Sequence, residues 1–111
     1  MINAKDVNPR KWRRRGVSTI GVLFDNNVHS IIWGELEGVK TLGIRWNGTP
    51  QQVKGYPQQG GNPLWHNVPD YIAEAILEKL LKNDDNERFK NRAIIDIAVK
   101  ELADKLKTQQ Q

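Results

Sequence analysis

The sequence has no cysteine in its 111 residues, which excludes disulfide bonds and catalysis by a thiolate. It has no apolar run close to the ~20 residues that a membrane-spanning helix needs. Its first residues, Met-Ile-Asn-Ala-Lys-Asp, lack the apolar segment of a secretory signal peptide. These absences predict a cytoplasmic protein that makes no contact with a membrane.

Apolar residues are also few, at 38% of the chain, and the mean hydropathy of −0.66 indicates a very polar surface. The length and the even composition favour a single domain. Four tryptophans are present, and each can bury about 150–250 Å². Trp33, Trp46 and Trp65 fall at predicted strand positions, so we expect them in the core with their indole N–H groups paired near its edge.

Positive charge is concentrated at the N-terminus. The whole chain has a net charge of +4, whereas residues 1–16 hold six basic residues against Asp6 and sum to +5, which leaves −1 for the rest. Residues 1–15 show neither a helical nor a strand period. We predict a basic, irregular arm at 1–15, a single near-neutral folded domain at 16–107 and a frayed tail at 108–111.

Alternating apolar and polar residues predict antiparallel strands in the first half of the chain. The predicted strands cover residues 17–24, 28–36, 39–46, 51–56 and 64–68. Asp25-Asn26-Asn27 supplies a turn that tolerates left-handed geometry. Asn47-Gly48 is typical of a type I′ hairpin, so it predicts a tight connection between the third and fourth strands.

The second half of the chain predicts two amphipathic helices. The first begins at Pro69, a favoured first-turn residue, and ends near Lys82. Asp84 and Glu87 resemble a capping box that starts the second helix, which runs to about Lys107. The predicted fold is therefore α+β, an antiparallel meander of four or five strands followed by two helices packed on one face.

The basic arm is the strongest functional signal. Clustered guanidinium groups bind phosphates, and an interleaved tryptophan can stack on a base. The arm therefore predicts contact with nucleic acid or another polyanion through Arg10, Lys11, Trp12, Arg13, Arg14 and Arg15. The alternative is a solvated arm whose Trp12 packs back on the sheet.

A glycine-rich segment over residues 55–62 has the glycine spacing that begins a phosphate-binding loop, but Gly61 and Asn62 replace the required lysine and hydroxyl. We predict a surface loop instead, with a possible recognition role because loops often carry function. Its recognition residues would be Tyr56, Gln58, Gln59, Trp65 and His66.

His29 and His66 are the two histidines of the chain. Without cysteine or a metalloprotease-type spacing they are a poor metal set, although Asp25 or Glu35 could complete one. Both are expected to be structural, with acid–base catalysis as the alternative. The sequence predicts no catalytic residue, no metal and no cofactor.

A resemblance rests on Ile-Trp-Gly-Glu-Leu-Glu-Gly at 32–38 and Leu-Gly-Ile-Arg-Trp-Asn-Gly at 42–48, followed by residues 55–57, 62–65 and 68–69. This pattern, spanning about residues 17–82, resembles small uncharacterised bacterial proteins of mobile genetic elements, including integron gene cassettes. It implies a shared fold and no activity, and it leaves the basic arm outside.

The prediction for function is a small non-enzymatic binding module whose arm contacts nucleic acid or another polyanion. The alternative is a protein-interaction module or homo-oligomer that acts through the sheet face, the Gln-Gly loop or the C-terminal helix. A small hydrolase that pairs a histidine with a carboxylate is the third possibility.

Overall fold

The computed structural model describes residues 12–13, 21–36, 39–59, 62–63 and 65–109. In chain order its elements are β1 (Trp12–Arg13), β2 (Gly21–Asp25), β3 (His29–Leu36), β4 (Val39–Trp46), β5 (Gln58–Gln59), β6 (Asn62–Pro63), β7 (His66–Val68), α1 (Asp70–Leu81), a 3₁₀ turn (Glu87–Phe89) and α2 (Arg92–Gln109). The predicted α+β fold, an antiparallel meander followed by two helices, is confirmed.

The main sheet is built around the pairing of β3 with β4, which runs from His29 opposite Trp46 to Leu36 opposite Val39. β7 pairs with the free side of β4. Both β1 and β2 pair with the other side of β3, so they share one edge of the sheet. The sheet is therefore four strands wide, and the two short strands β1 and β2 share its edge position next to β3.

The helices cover one end of one sheet face. Trp33, Leu42 and Val68 form a cross-strand row there, and each is buried. The helical residues that pack on this row recur at helical spacing, as expected for amphipathic helices: Ala73, Leu77, Leu80, Ile95, Ala98 and Leu102. The indole N–H of Trp33 donates to Glu101 at 2.9 Å, which confirms the expected partner at the core edge.

The N-terminal half departs from the prediction at the arm. Trp12–Arg13 of the predicted irregular arm pairs with Glu35–Leu36 as strand β1. The predicted strand at 17–24 is seen as β2 from Gly21, while residues 14–20 lie outside the described part. Asn27 has the predicted left-handed geometry, with φ 71°.

Residues 47–56 do not form the predicted type I′ hairpin and strand. Thr49 and Gln52 exchange backbone hydrogen bonds of 3.0 and 3.1 Å, and the chain returns to the sheet only where Tyr56 pairs with Trp46. Gly48 and Gly55 have φ of 96° and 66°. A Cβ at either would lie 2.1 Å from a backbone carbonyl oxygen, so both ends of this loop require glycine.

The predicted loop after Tyr56 holds a small ladder of its own, in which β5 pairs with β6. The predicted strand at 64–68 is shorter, since β7 covers only His66–Val68. α1 agrees with its predicted span. α2 continues two residues beyond the predicted end at Lys107.

The second helix begins later than Asp84 because the chain first returns to the sheet. Lys90 forms an isolated antiparallel β-bridge with Phe24. The Asn91 N–H then donates to the Leu23 carbonyl at 2.9 Å. The Asn91 side chain then accepts from the Ile94 N–H, so Asn91 is the cap of α2. Asp84 and Glu87 keep half of a capping box, in which the Glu87 carboxylate accepts from the Asp84 N–H at 3.4 Å.

A cluster of charged side chains caps the C-terminal end of α1. Arg92 donates to the carbonyl of Leu81, and Lys90 donates to that of Lys82, at 2.8 and 2.7 Å. Both cations also bind Glu87, at 2.6 and 3.0 Å. Glu87 thereby ties together two side chains that satisfy the last carbonyls of the helix.

We predict that this cluster makes folding sensitive to acid. Hydrogen bonds from Arg92, then Lys90, lower the pKa of Glu87 from 4.5 to about 2. Because the folded protein protonates this carboxylate less readily than the unfolded chain, its stabilising contribution is complete above about pH 4.5 and is lost as the pH falls toward 2. Urea unfolding of Glu87→Gln across this range should show a smaller loss of stability on acidification than the parent shows.

Glu78→Gln is the matched control, because Glu78 is exposed on α1 and has the same chemistry. It should keep the parent's acid dependence. Some acid dependence remains in Glu87→Gln, since a backbone hydrogen bond from Asn86 lowers the pKa of Asp84. Identical acid profiles for the parent and Glu87→Gln would contradict the prediction.

Candidate binding site at the open end of the sheet

The helices leave the other end of the same sheet face uncovered. His29 lies opposite Trp46, and Ile31, Ile44 and His66 form the next cross-strand row. Since directly opposed residues share a face and side chains alternate along a strand, these five residues extend the face that carries the helix-covered row. They form the floor of an open cavity of about 430 Å³, here called the sheet-end cavity.

The borders of the sheet-end cavity come from two other elements. Ile76 of α1 lies on one border, and Tyr56 and Pro57 of the loop after β4 lie on another. Tyr56 is 67% exposed. The cavity thus joins an aliphatic floor, two aromatic side chains and two imidazoles in one concave surface.

The structure brings together only part of the predicted recognition set. Tyr56 and His66 line the sheet-end cavity, where His29 joins them. Gln58 and Gln59 belong to the small β5–β6 ladder. Trp65 is buried apart from this lining, with the Arg45 guanidinium 5.9 Å from its ring centroid.

The predicted arm residues are largely outside the described part of the chain. This holds for Arg10, Lys11, Arg14 and Arg15. Trp12 and Arg13 are placed at the edge of β3 by backbone pairing. The predicted contact of the arm with nucleic acid therefore stays a prediction.

Arg45 positions the loop that carries Tyr56. Its side chain is on the face opposite Ile44 and Trp46 and is only 2% exposed. One guanidinium nitrogen donates to the carbonyls of Lys54 and Trp46. Trp46 and Tyr56 then exchange backbone hydrogen bonds of 2.8 and 2.9 Å. Burial lowers the pKa of Arg45, but a guanidinium stays protonated at neutral pH.

Asn47 fixes the position of His29 from the other side. Its side chain accepts from Ser30 Oγ at 2.8 Å and donates to Asp25 at 3.2 Å. Its N–H donates to the carbonyl of Val28 at 2.8 Å. This buried amide ties the β2–β3 turn to the end of β4 and so sets the mouth of the sheet-end cavity. The sequence marks Asn47 only as a turn residue, and nothing in its local pattern reveals this role.

The sheet-end cavity offers few ionisable side chains. Its lining residues with polar side chains are His29, Ser30, Arg45, Tyr56 and His66, and no carboxylate lines it among the described residues. Strand alternation turns the side chains of Ser30 and Arg45 toward the other face of the sheet. Strand spacing puts the backbones of the two histidines about 12 Å apart, at opposite corners of the floor. Asp25 is hydrogen-bonded to Asn47 and to the Asn27 N–H, and Glu35 lines a different cavity. Within the described ranges no three His, Asp or Glu side chains form a metal-binding group.

A second cavity of about 790 Å³ lies between the β3–β4 end and α2. Two of its lysines are paired with carboxylates of the packed helices. Lys40 binds Glu101, and Lys105 binds Asp70 at 2.8 Å. These contacts join α2 to β4 and to the start of α1, so this cavity is explained by the packing of the helices.

We predict that Arg45→Met releases the loop at the sheet-end cavity. The variant keeps an unbranched apolar stem but removes a charged donor whose hydrogen bonds are worth about 1.5–3 kcal/mol. Unfolding in urea should show a loss of about that size, and hydrogen exchange at the Tyr56 amide should accelerate. Lys54→Met, a change of the same type at an exposed position, should alter stability by less than about 0.5 kcal/mol. Equal effects of the two variants would contradict the role given to Arg45.

Comparison with known proteins gives no relative: no family model, curated protein or solved structure matches this chain. The predicted resemblance to proteins of mobile genetic elements stays a prediction. Neither helix in the described ranges is long and apolar enough to cross a membrane.

Proposed function

We propose that this protein is a small, non-enzymatic binding module whose ligand occupies the sheet-end cavity. The observation that carries the proposal is the cavity itself, with its aliphatic floor and the polar side chains of His29, Tyr56 and His66 around it. Small-molecule sites are concave, mostly apolar and roughly 300–1,000 Å³ in volume, with a few placed polar groups. The sheet-end cavity has each of these properties.

Its exposed aromatic surface supports the same proposal. Tyr56 is largely exposed beside Trp46, and Ile31 and Ile44 are only partly buried. Apolar area that a ligand covers contributes roughly 25 cal/mol per Å², so covering these side chains would favour association. The absence of a carboxylate from the described lining gives neither histidine the partner that a hydrolase would require there.

We predict that small apolar ring compounds bind here, with indole as the probe. Indole titrated into the ¹⁵N-labelled protein should shift the amide signals of His29, Ile44, Trp46 and His66. Tyr56→Ala should weaken binding about fivefold, because an aromatic contact is worth about 1 kcal/mol. Tyr71→Ala is the matched control, since Tyr71 is 75% exposed on α1 and does not line the cavity. Shifts spread over the surface, or equal effects of the two variants, would contradict the proposal.

Contact between the basic arm and nucleic acid is the second candidate. It is supported by the concentration of net charge in residues 1–16. Pairing of β1 with β3 attaches Trp12 and Arg13 of this segment to the sheet edge, so deletion of the arm would also remove a strand. A sharper variant changes Arg10, Lys11, Arg14 and Arg15 to glutamine and keeps Trp12 and Arg13.

We predict that these four substitutions weaken binding of a short labelled DNA. Between about 50 and 200 mM salt, the slope of log affinity against log salt should fall by about 3, because each lost phosphate contact removes about 0.7–0.9. The control changes four exposed lysines of the body, Lys79, Lys82, Lys100 and Lys107, to glutamine and removes the same charge. Fluorescence anisotropy measures both. An equal loss in the control would show that only net charge matters and would contradict a role for the arm.

A further inference from the structure

We propose that the ligand of the sheet-end cavity is a flat aromatic carboxylate, an inference that rests on the proposed function. The observation behind it is the kind of polar group that the cavity offers. His29, His66 and Tyr56 are its polar side chains on the open face, and each can donate a hydrogen bond through an imidazole N–H or a phenol O–H.

No described group in the lining is a carboxylate. A cationic ligand would therefore bury its charge without a partner there, at a large desolvation cost. A carboxylate is the complementary case, because it only accepts hydrogen bonds and strengthens those that it accepts. An imidazole can also take up a proton and supply the opposite charge.

The shape of the floor indicates that the apolar part of the ligand is a planar ring. Ile31 and Ile44 are directly opposed on adjacent strands, and Trp46 lies one row further along the same face. Side chains of a sheet face form a broad, level surface, which a planar ring covers more completely than a branched chain does. Trp46 and Tyr56 add aromatic edges and faces that favour offset or edge-to-face contact with a ring.

The positions of the polar groups fit such a molecule. His29 and His66 stand at opposite corners of the floor, their backbones about 12 Å apart by strand spacing. A ligand with two fused rings lies between them, and its carboxylate reaches the imidazole at one end. Tyr56 borders the same space from the loop and is held there by its backbone pairing with Trp46.

Three probes of one shape test the proposal on the full chain. They are 2-naphthoate, its uncharged amide 2-naphthamide, and the cation 2-naphthamidinium, whose head group is planar like the other two. Binding is measured by amide shifts in NMR titrations. The acid should bind about tenfold more tightly than the amide, because a hydrogen bond to a charged group exceeds a neutral one by about 1–1.5 kcal/mol. The cation should bind more weakly than the amide.

Histidine variants test whether the preference for the acid over the amide depends on His29 and His66. In His29→Gln with His66→Gln, both exposed positions, the ratio of acid to amide affinity should fall to about threefold or less, since the imidazole that compensates the charge is gone. The affinity for the amide should stay within about twofold of the parent, and this also shows that the variant is folded. An unchanged ratio would overturn the assignment to the histidines.

The possible failures are distinguishable. If the amide binds as tightly as the acid and the shifts still map to the sheet-end cavity, the ligand class is wrong and the proposed function stands. If the cation binds most tightly, the charge argument is wrong. If neither indole nor any naphthyl probe shifts the cavity residues, both the ligand class and the proposed function are wrong.

Discussion

Eight consecutive residue pairs join β3 to β4, from His29 opposite Trp46 to Leu36 opposite Val39. This register determines which side chains share a face. A slip by one residue would exchange the faces, because side chains alternate along a strand. If β4 slipped, Leu42 would leave the helices, and the buried Arg45 would move onto the face that carries the sheet-end cavity. The core and the sheet-end cavity both depend on this one alignment.

The same alignment divides the face into two parts with different tasks. The row of Trp33, Leu42 and Val68 is covered by α1 and α2 and is buried. The rows beyond it, toward His29, are left open because the helices do not extend over them. The helix-covered end therefore holds most of the core, and the other end stays open, although Ile31 and Ile44 there still pack against the core cluster.

The fold was predictable where local pattern and tertiary structure agree. β3, β4 and α1 have strong periodicity, and their limits match or nearly match the predicted ones. The loop over residues 47–55 was not predictable, because Asn47 makes its contacts with Asp25 and Ser30, which are distant in sequence. The start of α2 was missed for the same reason. Its cap at Asn91 depends on a hydrogen bond to Leu23 across the molecule.

The candidate site was only partly predictable. Tyr56 and His66 were identified from a loop rich in glycine and aromatic residues, but their grouping with His29 requires the registers of three strands. Trp65 is buried, as expected for a core tryptophan, and its position next to His66 in β7 places it on the other side of the sheet. The sequence shows which residue types are present in such a site. The pairing of the strands determines which of these side chains lie close together.

The loop between Gly48 and Gly55 has a consequence for engineering. Its two glycines are each confined by a neighbouring backbone carbonyl, while residues 50–54 between them are exposed. Both ends are tied to Gln52 inside the loop, whose carbonyl confines Gly48 and accepts from the Gly55 N–H at 3.1 Å. Exposed loop tips are favourable positions for insertions, but an insertion here must leave Gln52 in place. A peptide tag or a longer recognition segment is therefore better grafted beside the exposed Val53 than across the whole loop.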